Sequence, residues 1–124
     1  MLIAVAISRI NPIVAAVVAF YTRSTLKTLA TGPQWPAFGR LVGRLNRIRG
    51  YGDFLHYHLL AAGKIDAVVE SDVNILDIAA CAVIVEAAGG RVTDLAGRPL
   101  TLASTSVLAT NGRLHDAVLA AIRG

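Results

Sequence analysis

The chain has 124 residues and a net charge of +4; 55% of its residues are hydrophobic and 16% are charged. This length and composition predict one small domain with a buried core, and they exclude a disordered or collagen-like chain. The single cysteine excludes an intramolecular disulfide and a cysteine-rich zinc motif, and it favours a reducing, cytoplasmic setting.

The charges are distributed unevenly along the chain. All eight carboxylate side chains lie at or after Asp53, whereas seven of the twelve Lys and Arg residues precede it. Residues 1–52 therefore carry a net charge of +7 and the remaining residues a net charge of −3. Any carboxylate chemistry must come from residue 53 onward.

Residues 1–21 form an apolar N-terminal segment that we treat separately from residues 22–124. Arg9 interrupts the apolar run near its middle. A charge at the centre of a membrane span costs roughly 2.5–3.5 kcal/mol on insertion scales. The pattern therefore favours a buried strand over Leu2–Ile7 and a second apolar piece over Ile13–Tyr21, rather than a membrane span. A signal peptide is disfavoured because the charge follows the first apolar run.

A helix is predicted over Ala37–Leu45, after a Pro-containing loop at residues 31–36, because apolar residues recur there at helical spacing. Arg40, Arg44 and Arg47 would lie on its opposite side. A solvated helix face explains this stripe more simply than phosphate contacts, since no nucleic-acid motif or aromatic platform accompanies it. We therefore expect no nucleic-acid partner.

Glycine turns punctuate the next elements. The segment Arg49–Asp53 indicates the end of a strand followed by a glycine turn. Asp53 is suited to cap a helix over Phe54–Ala62, which Gly63 stops. A strand is expected over Ile65–Glu70.

The longest helix is predicted over Ile75–Ala88. Asn74 can cap its start, and Gly89 and Gly90 can end it. The helix is apolar almost all round, so we expect it to be buried on several sides, with Cys81 inert within it.

The last elements are strands over Arg91–Leu95 and Ser106–Ala109 and a helix over Arg113–Ile122. Alternation of strands and helices predicts an α/β fold with helices packed on a sheet.

The three histidines show no metal-ligand spacing as a set. His56 and His58 are two residues apart, so on a helix they point to different faces. We expect solvated or core-edge positions for both of them and for His115.

Three acids occupy positions where α/β proteins bind ligands. Asp53 lies at a helix start, Glu70 at a strand end and Asp77 in the first turn of the long helix. Such places favour anions, and a carboxylate there can hold a divalent cation. Each acid also has a plainer interpretation. Asp53 can be an N-cap, Glu70 a solvated strand end, and Asp77 can stabilise the helix dipole by roughly 0.3–1 kcal/mol.

Longer motifs in this part of the chain occur in a recognisable order. They are Asp66–Glu70, Leu76–Ala80, Ile84–Asp94 and Gly97–Leu100, preceded by Arg49–Asp53 with Tyr57, Ala61 and Gly63. Together they resemble the C-terminal half of the inositol monophosphatase family, whose second signature has Trp-Asp followed by small residues and then Glu-Ala-Gly-Gly. The Gly-Asp pair is similar to the histidinol-phosphatase-like branch. The similarity runs from about residue 22 to residue 122.

The resemblance implies the C-terminal α/β/α subdomain of the sugar-phosphatase fold and Mg²⁺-dependent hydrolysis of a small phosphomonoester, of the histidinol-phosphate or inositol-phosphate type. It makes Asp77 a ligand of the catalytic Mg²⁺ and a neighbour of the substrate. Glu70 matches the acid that contacts substrate hydroxyls, and Gly52, Asp53 and Phe54 match the turn that lines the substrate pocket. In this chemistry the ions activate a water and orient the phosphate.

The chain departs from the family pattern in two ways. Leu76 stands where the family usually has Trp. The family's other metal ligands come from a Gly-Glu-Glu motif and an Asp-Pro-x-Asp-Gly-Thr motif, and neither occurs in the sequence. Residues 1–21 contain no acid that could replace them. We therefore expect a truncated family member that lacks a complete catalytic set.

The alternative is a non-catalytic remnant or interaction module. Loss of an N-terminal half would expose apolar surface, and exposed apolar patches above several hundred Å² favour association. On this hypothesis the chain forms a homo-oligomer, or a partner covers the apolar face.

Overall fold

The computed structural model describes residues 17–20, 27, 30–50 and 54–124. The elements with described bounds are five strands and four helices. The strands are β1 (Val17–Phe20), β2 (Arg47–Gly50), β3 (Ala67–Ser71), β4 (Arg91–Thr93) and β5 (Ser106–Thr110). The helices are α1 (Trp35–Val42), α2 (Leu55–Ala61), α3 (Ile75–Ala87) and α4 (His115–Arg123). The predicted strand over Leu2–Ile7 lies outside the described residues.

The strands form one mixed sheet in the order β2-β1-β3-β5-β4. β1 runs parallel to both β2 and β3, whereas β5 runs antiparallel to both β3 and β4. β3 lies at the centre, and all five of its residues are buried. Its run of small and β-branched residues suits a strand that is covered on both faces.

Helices cover both faces of this sheet. Successive side chains of a strand point to opposite faces, so Val68 packs towards α2 and α3, while Ala67 and Val69 pack towards α1 and α4. The result is an α/β/α arrangement with a separate apolar core on each side. The alternation of elements predicted from the sequence is therefore confirmed. The first core comprises Phe38, Leu41, Ala67, Val69, Leu108, Leu114, Val118, Leu119 and Ile122. The second comprises Tyr57, Leu60, Ile65, Val68, Ile75, Ile78, Cys81, Val85, Val92, Val107 and Ala109.

Helix α1 is shorter than its apolar spacing predicts. It begins at Trp35 with a proline in its first turn, and it ends at Val42 before Gly43. Arg44 therefore follows the helix and Arg47 lies in β2. The prediction that three arginines share one helix face is wrong, because glycine ends the helix before the second of them.

Helix α3 is buried along one stripe only. Ile75, Ile78, Cys81 and Val85 are buried against the sheet and α2, as Cys81 was expected to be. Three large apolar side chains on other sides, Leu76, Val83 and Ile84, are exposed. The prediction that this helix is buried on several sides is therefore wrong. Within the described part of the chain, no helix is long and apolar enough to cross a membrane.

The predicted ends of α3 agree with the structure to within one residue. The side chain of Asn74 accepts a hydrogen bond from the backbone N–H of Leu76 and caps α3. Gly89 follows α3 with φ +92°, a conformation that glycine adopts readily. A Cβ at Gly90 would lie 2.6 Å from the carbonyl oxygen of Thr110, so glycine permits α3 to pack closely against β5.

Candidate functional site

An open cleft of about 360 Å³ lies where β3 ends and α3 begins. Of the residues predicted to form the site, Phe54, Glu70 and Asp77 line this cleft together. Gly52 and Asp53 lie outside the described residues, so their place in the site stays a prediction. The lining residues are Phe54, Glu70, Asp72, Val73, Asn74, Asp77 and Ile78.

A short turn brings Glu70 and Asp77 to one cleft although they are seven residues apart. β3 ends at Ser71, and Asp72 then adopts a left-handed conformation with φ +59°. Aspartate tolerates this conformation better than most residues. Asn74 then starts α3, which places Asp77 in the first helical turn. Asp72 adds a third carboxylate to the cleft, and no motif in the sequence indicates this role for it.

Glu70 is a buried carboxylate at the wall of the cleft. Its side chain is held from α2, because Tyr57 donates its phenolic hydrogen to Oε2 and His56 Nε2 lies 2.9 Å from Oε1. The residue is only 4% exposed, so the interpretation of Glu70 as a solvated strand end is wrong. A buried carboxylate needs such partners, since an unpaired one would be costly.

Tyr57 and Cys81 keep their protons in this environment. Burial, reinforced by the charge of Glu70, raises the pKa of the Tyr57 phenol far above its ordinary range. Burial and Glu70 also raise the pKa of the Cys81 thiol. The phenol therefore acts as a donor to the carboxylate, and the thiol has little thiolate character.

His56 is completely buried, which contradicts the expected solvated or core-edge position. Its neighbour two residues on, His58, is exposed, as the difference in helix face predicts. The Nδ1 atom of His56 has no hydrogen-bond partner within the described residues. No local sequence pattern indicates that His56 contacts Glu70, because the two residues are fourteen positions apart.

Asp77 is exposed at the rim of the cleft. Its backbone N–H donates to the carbonyl of Asn74 at 3.0 Å, which holds it in the first turn of α3. The preceding Leu76 is 75% exposed. It therefore does not form a packed floor beneath the carboxylate.

The cleft offers oxygen donors suited to a hard cation such as Mg²⁺. These are the carboxylates of Glu70, Asp72 and Asp77 and the side chain of Asn74. Among the described residues, however, no three His, Cys, Asp or Glu side chains converge closely enough to hold a metal ion. The oxygen donors of the cleft are thus of the type that Mg²⁺ prefers, but they supply only part of a coordination shell.

Comparison with known proteins agrees with this arrangement. The sequence matches the inositol monophosphatase family over residues 5–124. It is 44% identical over 91 residues to a histidinol-phosphatase of Streptomyces coelicolor, covering 68% of this chain and 34% of that protein. It is 48% identical over 73 residues to a histidinol-phosphatase of Mycobacterium tuberculosis, covering 59% and 28%.

Solved structures show the same fold. An inositol monophosphatase from Zymomonas mobilis superposes with a TM-score of 0.76 at 30% identity, covering 90% of this chain and 44% of that chain. The Thermotoga maritima IMPase gives a TM-score of 0.72 at 29% identity, covering 88% and 41%. The chain spans about a third of the length of the curated relatives it matches. The resemblance seen in the sequence motifs is thereby confirmed, and the chain belongs to the inositol monophosphatase family.

Proposed function

We propose that the cleft between β3 and α3 is this chain's share of a Mg²⁺-dependent phosphomonoesterase site. The observation that carries the proposal is that Glu70 and Asp77 line one cleft at a strand end and a helix start. Phosphatase relatives of the histidinol-phosphate and inositol-phosphate types support the reaction class. The single cysteine supports a cytoplasmic setting.

Asp77, which is exposed at the rim, is the residue that would hold Mg²⁺. When bound, the ion would polarise the phosphoryl group and make a coordinated water more acidic. The start of α3 lies at the same cleft, and the positive end of its helix dipole favours a phosphate there. Glu70 would accept a hydrogen bond from the alcohol part of the ester, and Phe54 would cover that part on one side.

A working metal shell requires more carboxylates than this cleft brings to Asp77. Residues 1–52 contain no acid. We therefore propose that the further metal ligands come from polypeptide other than these 124 residues. We therefore expect the chain on its own to bind ligand, and we test binding instead of turnover.

The affinity for myo-inositol 1-phosphate, measured by calorimetry with excess Mg²⁺ and again with chelator, tests the proposal. We expect Mg²⁺ to strengthen binding, and Asp77→Asn to weaken the Mg²⁺-dependent binding about tenfold or more, as loss of a charged ligand implies. Asp116→Asn is the matched control, because Asp116 is also an acid in the first turn of a helix. Equal binding by wild type and Asp77→Asn would contradict the proposal, as would binding that chelator does not affect.

A second candidate function is association with another copy of the chain. The α2–α3 layer carries five exposed large apolar side chains, of which the first also lines the cleft: Phe54, Leu55, Leu76, Val83 and Ile84. Exposed apolar surface of this kind favours association. We propose that a second copy covers it.

Sedimentation or light scattering tests this association. Wild type is expected to be a dimer or larger, and Val83→Glu should shift it to monomer, since a charge would be buried in the interface. Leu102→Glu is the control: Leu102 is 86% exposed but lies in the loop before β5. A monomeric wild type, or equal dissociation by both variants, would rule out the α2–α3 face as a dimer interface.

A further inference from the structure

The carboxylate of Glu70 has two sets of neighbours. On the protein side, Oε1 faces His56 Nε2 and Oε2 accepts from the Tyr57 hydroxyl. On the other side, the same residue lines the cleft. Each carboxylate oxygen has two lone pairs, so one protein partner per oxygen leaves acceptor capacity towards a ligand.

The positions of the protons in this group follow from its contacts. The Tyr57 phenol stays protonated and donates to Oε2 of Glu70. We assign the ring proton of His56 to Nε2, which then donates to Oε1 of Glu70. The buried Nδ1 then carries only a lone pair, because a hydrogen there would be a buried donor without a partner in the described residues.

The other charged groups near the cleft have the same sign. Asp72 and Asp77 also line it, and Cys81 approaches Glu70 from α3 as a neutral thiol. No Lys or Arg is among the described residues that line this cleft. The side chain of Glu70 therefore presents free acceptor lone pairs to a ligand in the cleft.

We propose that His56 and Tyr57 are positioning residues that hold Glu70 in place as a hydrogen-bond acceptor, so that the cleft selects phosphomonoesters whose alcohol part donates a hydrogen bond. A hydroxyl or an ammonium group meets this requirement, and a bare hydrocarbon does not. The inference rests on the proposed function for the presence of a phosphate. Selectivity for the alcohol part depends on the two α2 side chains, His56 and Tyr57.

Two probes separate selectivity from phosphate binding. myo-Inositol 1-phosphate carries ring hydroxyls, whereas cyclohexyl phosphate has the same ring size without them. With Mg²⁺ present, wild type should bind the first about tenfold more tightly, as a hydrogen bond to a charged group implies. Tyr57→Phe should reduce this ratio about threefold or more, because Glu70 loses the partner that orients it.

The matched control is Thr110→Val, which also removes a buried, hydrogen-bonded hydroxyl, but one whose partner is His115 on another part of the sheet. It should lower stability and leave the selectivity ratio unchanged. A Tyr57→Phe variant that keeps the wild-type ratio would overturn the positioning roles while the proposed function stands. Equal loss of the ratio in both variants would show a merely structural effect and would also overturn them.

A spectroscopic measurement decides the geometry independently of any ligand. Long-range ¹H–¹⁵N spectra of the imidazoles, with His56 assigned by comparison with His56→Gln, should show the ring proton on Nε2. Glu70→Gln should change this pattern. A proton on Nδ1, or an unchanged pattern in Glu70→Gln, would overturn the inference. If neither probe binds wild type, the proposed function and the selectivity fail, and the spectrum still decides whether His56 is held by Glu70.

Discussion

Replacing Glu70 by alanine is expected to lower the free energy of unfolding by about 3–5 kcal/mol. The substitution removes the acceptor of two buried donors, the Tyr57 hydroxyl and His56 Nε2, neither of which has another partner in the described residues. It also leaves a cavity at the end of β3. This effect is large because both donors would lose their hydrogen bonds without gaining contact with water.

Urea unfolding of wild type and four variants, Glu70→Ala, Glu70→Gln, Tyr57→Phe and the double variant Tyr57→Phe with Glu70→Ala, measures this effect. Glu70→Gln keeps one acceptor oxygen and should cost less than alanine. The double variant Tyr57→Phe with Glu70→Ala should cost less than the sum of the two single changes, because the phenylalanine leaves no unpaired hydroxyl. A loss below about 1 kcal/mol for Glu70→Ala, or strict additivity, would show that the buried network contributes little.

Lowering the pH from about 6.5 to 4 is expected to destabilise the fold through His115, by up to about 3 kcal/mol. This residue is completely buried, with Nε2 2.8 Å from Thr93 Oγ1 and Nδ1 3.0 Å from Thr110 Oγ1. Burial, with a smaller effect of Arg91, lowers the pKa of His115 from 6.5 to about 4. Its contribution is fully present above pH 6.5 and is lost as the pH falls, because the unfolded chain then binds the proton more readily.

The pH dependence is measured by urea unfolding between pH 7.5 and 4 in wild type and His115→Gln. The glutamine variant does not titrate and should show a flatter profile. Asp94 titrates below this pH range. Burial acts to raise the pKa of its carboxyl group, but hydrogen bonds from Arg98 and Ala96 outweigh burial and lower the pKa. Parallel profiles in the two proteins would show that His115 is not the titrating group.

Much of the fold follows from local patterns in the sequence. Apolar runs, cap residues and glycines predict the strands and helices around the site, because these signals act over a few residues. Glu70 and Asp77 were expected at a strand end and a helix start, and the structure places both on one cleft. Their roles towards Mg²⁺ and substrate stay predictions.

The remaining features depend on contacts between distant residues. The sequence indicates only that His56 and Tyr57 lie in a helix. The packing of α2 against β3 is what brings them to Glu70. The composition of α3 shows that it is apolar but does not show which sides have neighbours. Leu76 and Val83 are exposed, although the apolar composition predicts a helix that is buried on several sides.

The site also shows how a buried group and an exposed group can divide one task. Glu70 is held in place from the interior by α2, whereas Asp77 lies at the rim, where a ligand or further protein could reach it. Rigid support for the first and access for the second suit substrate recognition and metal binding respectively. This division is the basis of the proposed phosphomonoesterase role.

The most direct test of that role is to follow backbone amide signals of the wild-type chain by NMR while myo-inositol 1-phosphate is added with Mg²⁺. We expect the largest shifts on the turn and first helical residues between Glu70 and Ile78, together with Phe54, and we expect chelation to reverse them. Shifts confined to another surface, or no Mg²⁺-dependent shift in this cleft, would contradict the assignment of the β3–α3 cleft as a phosphomonoester site.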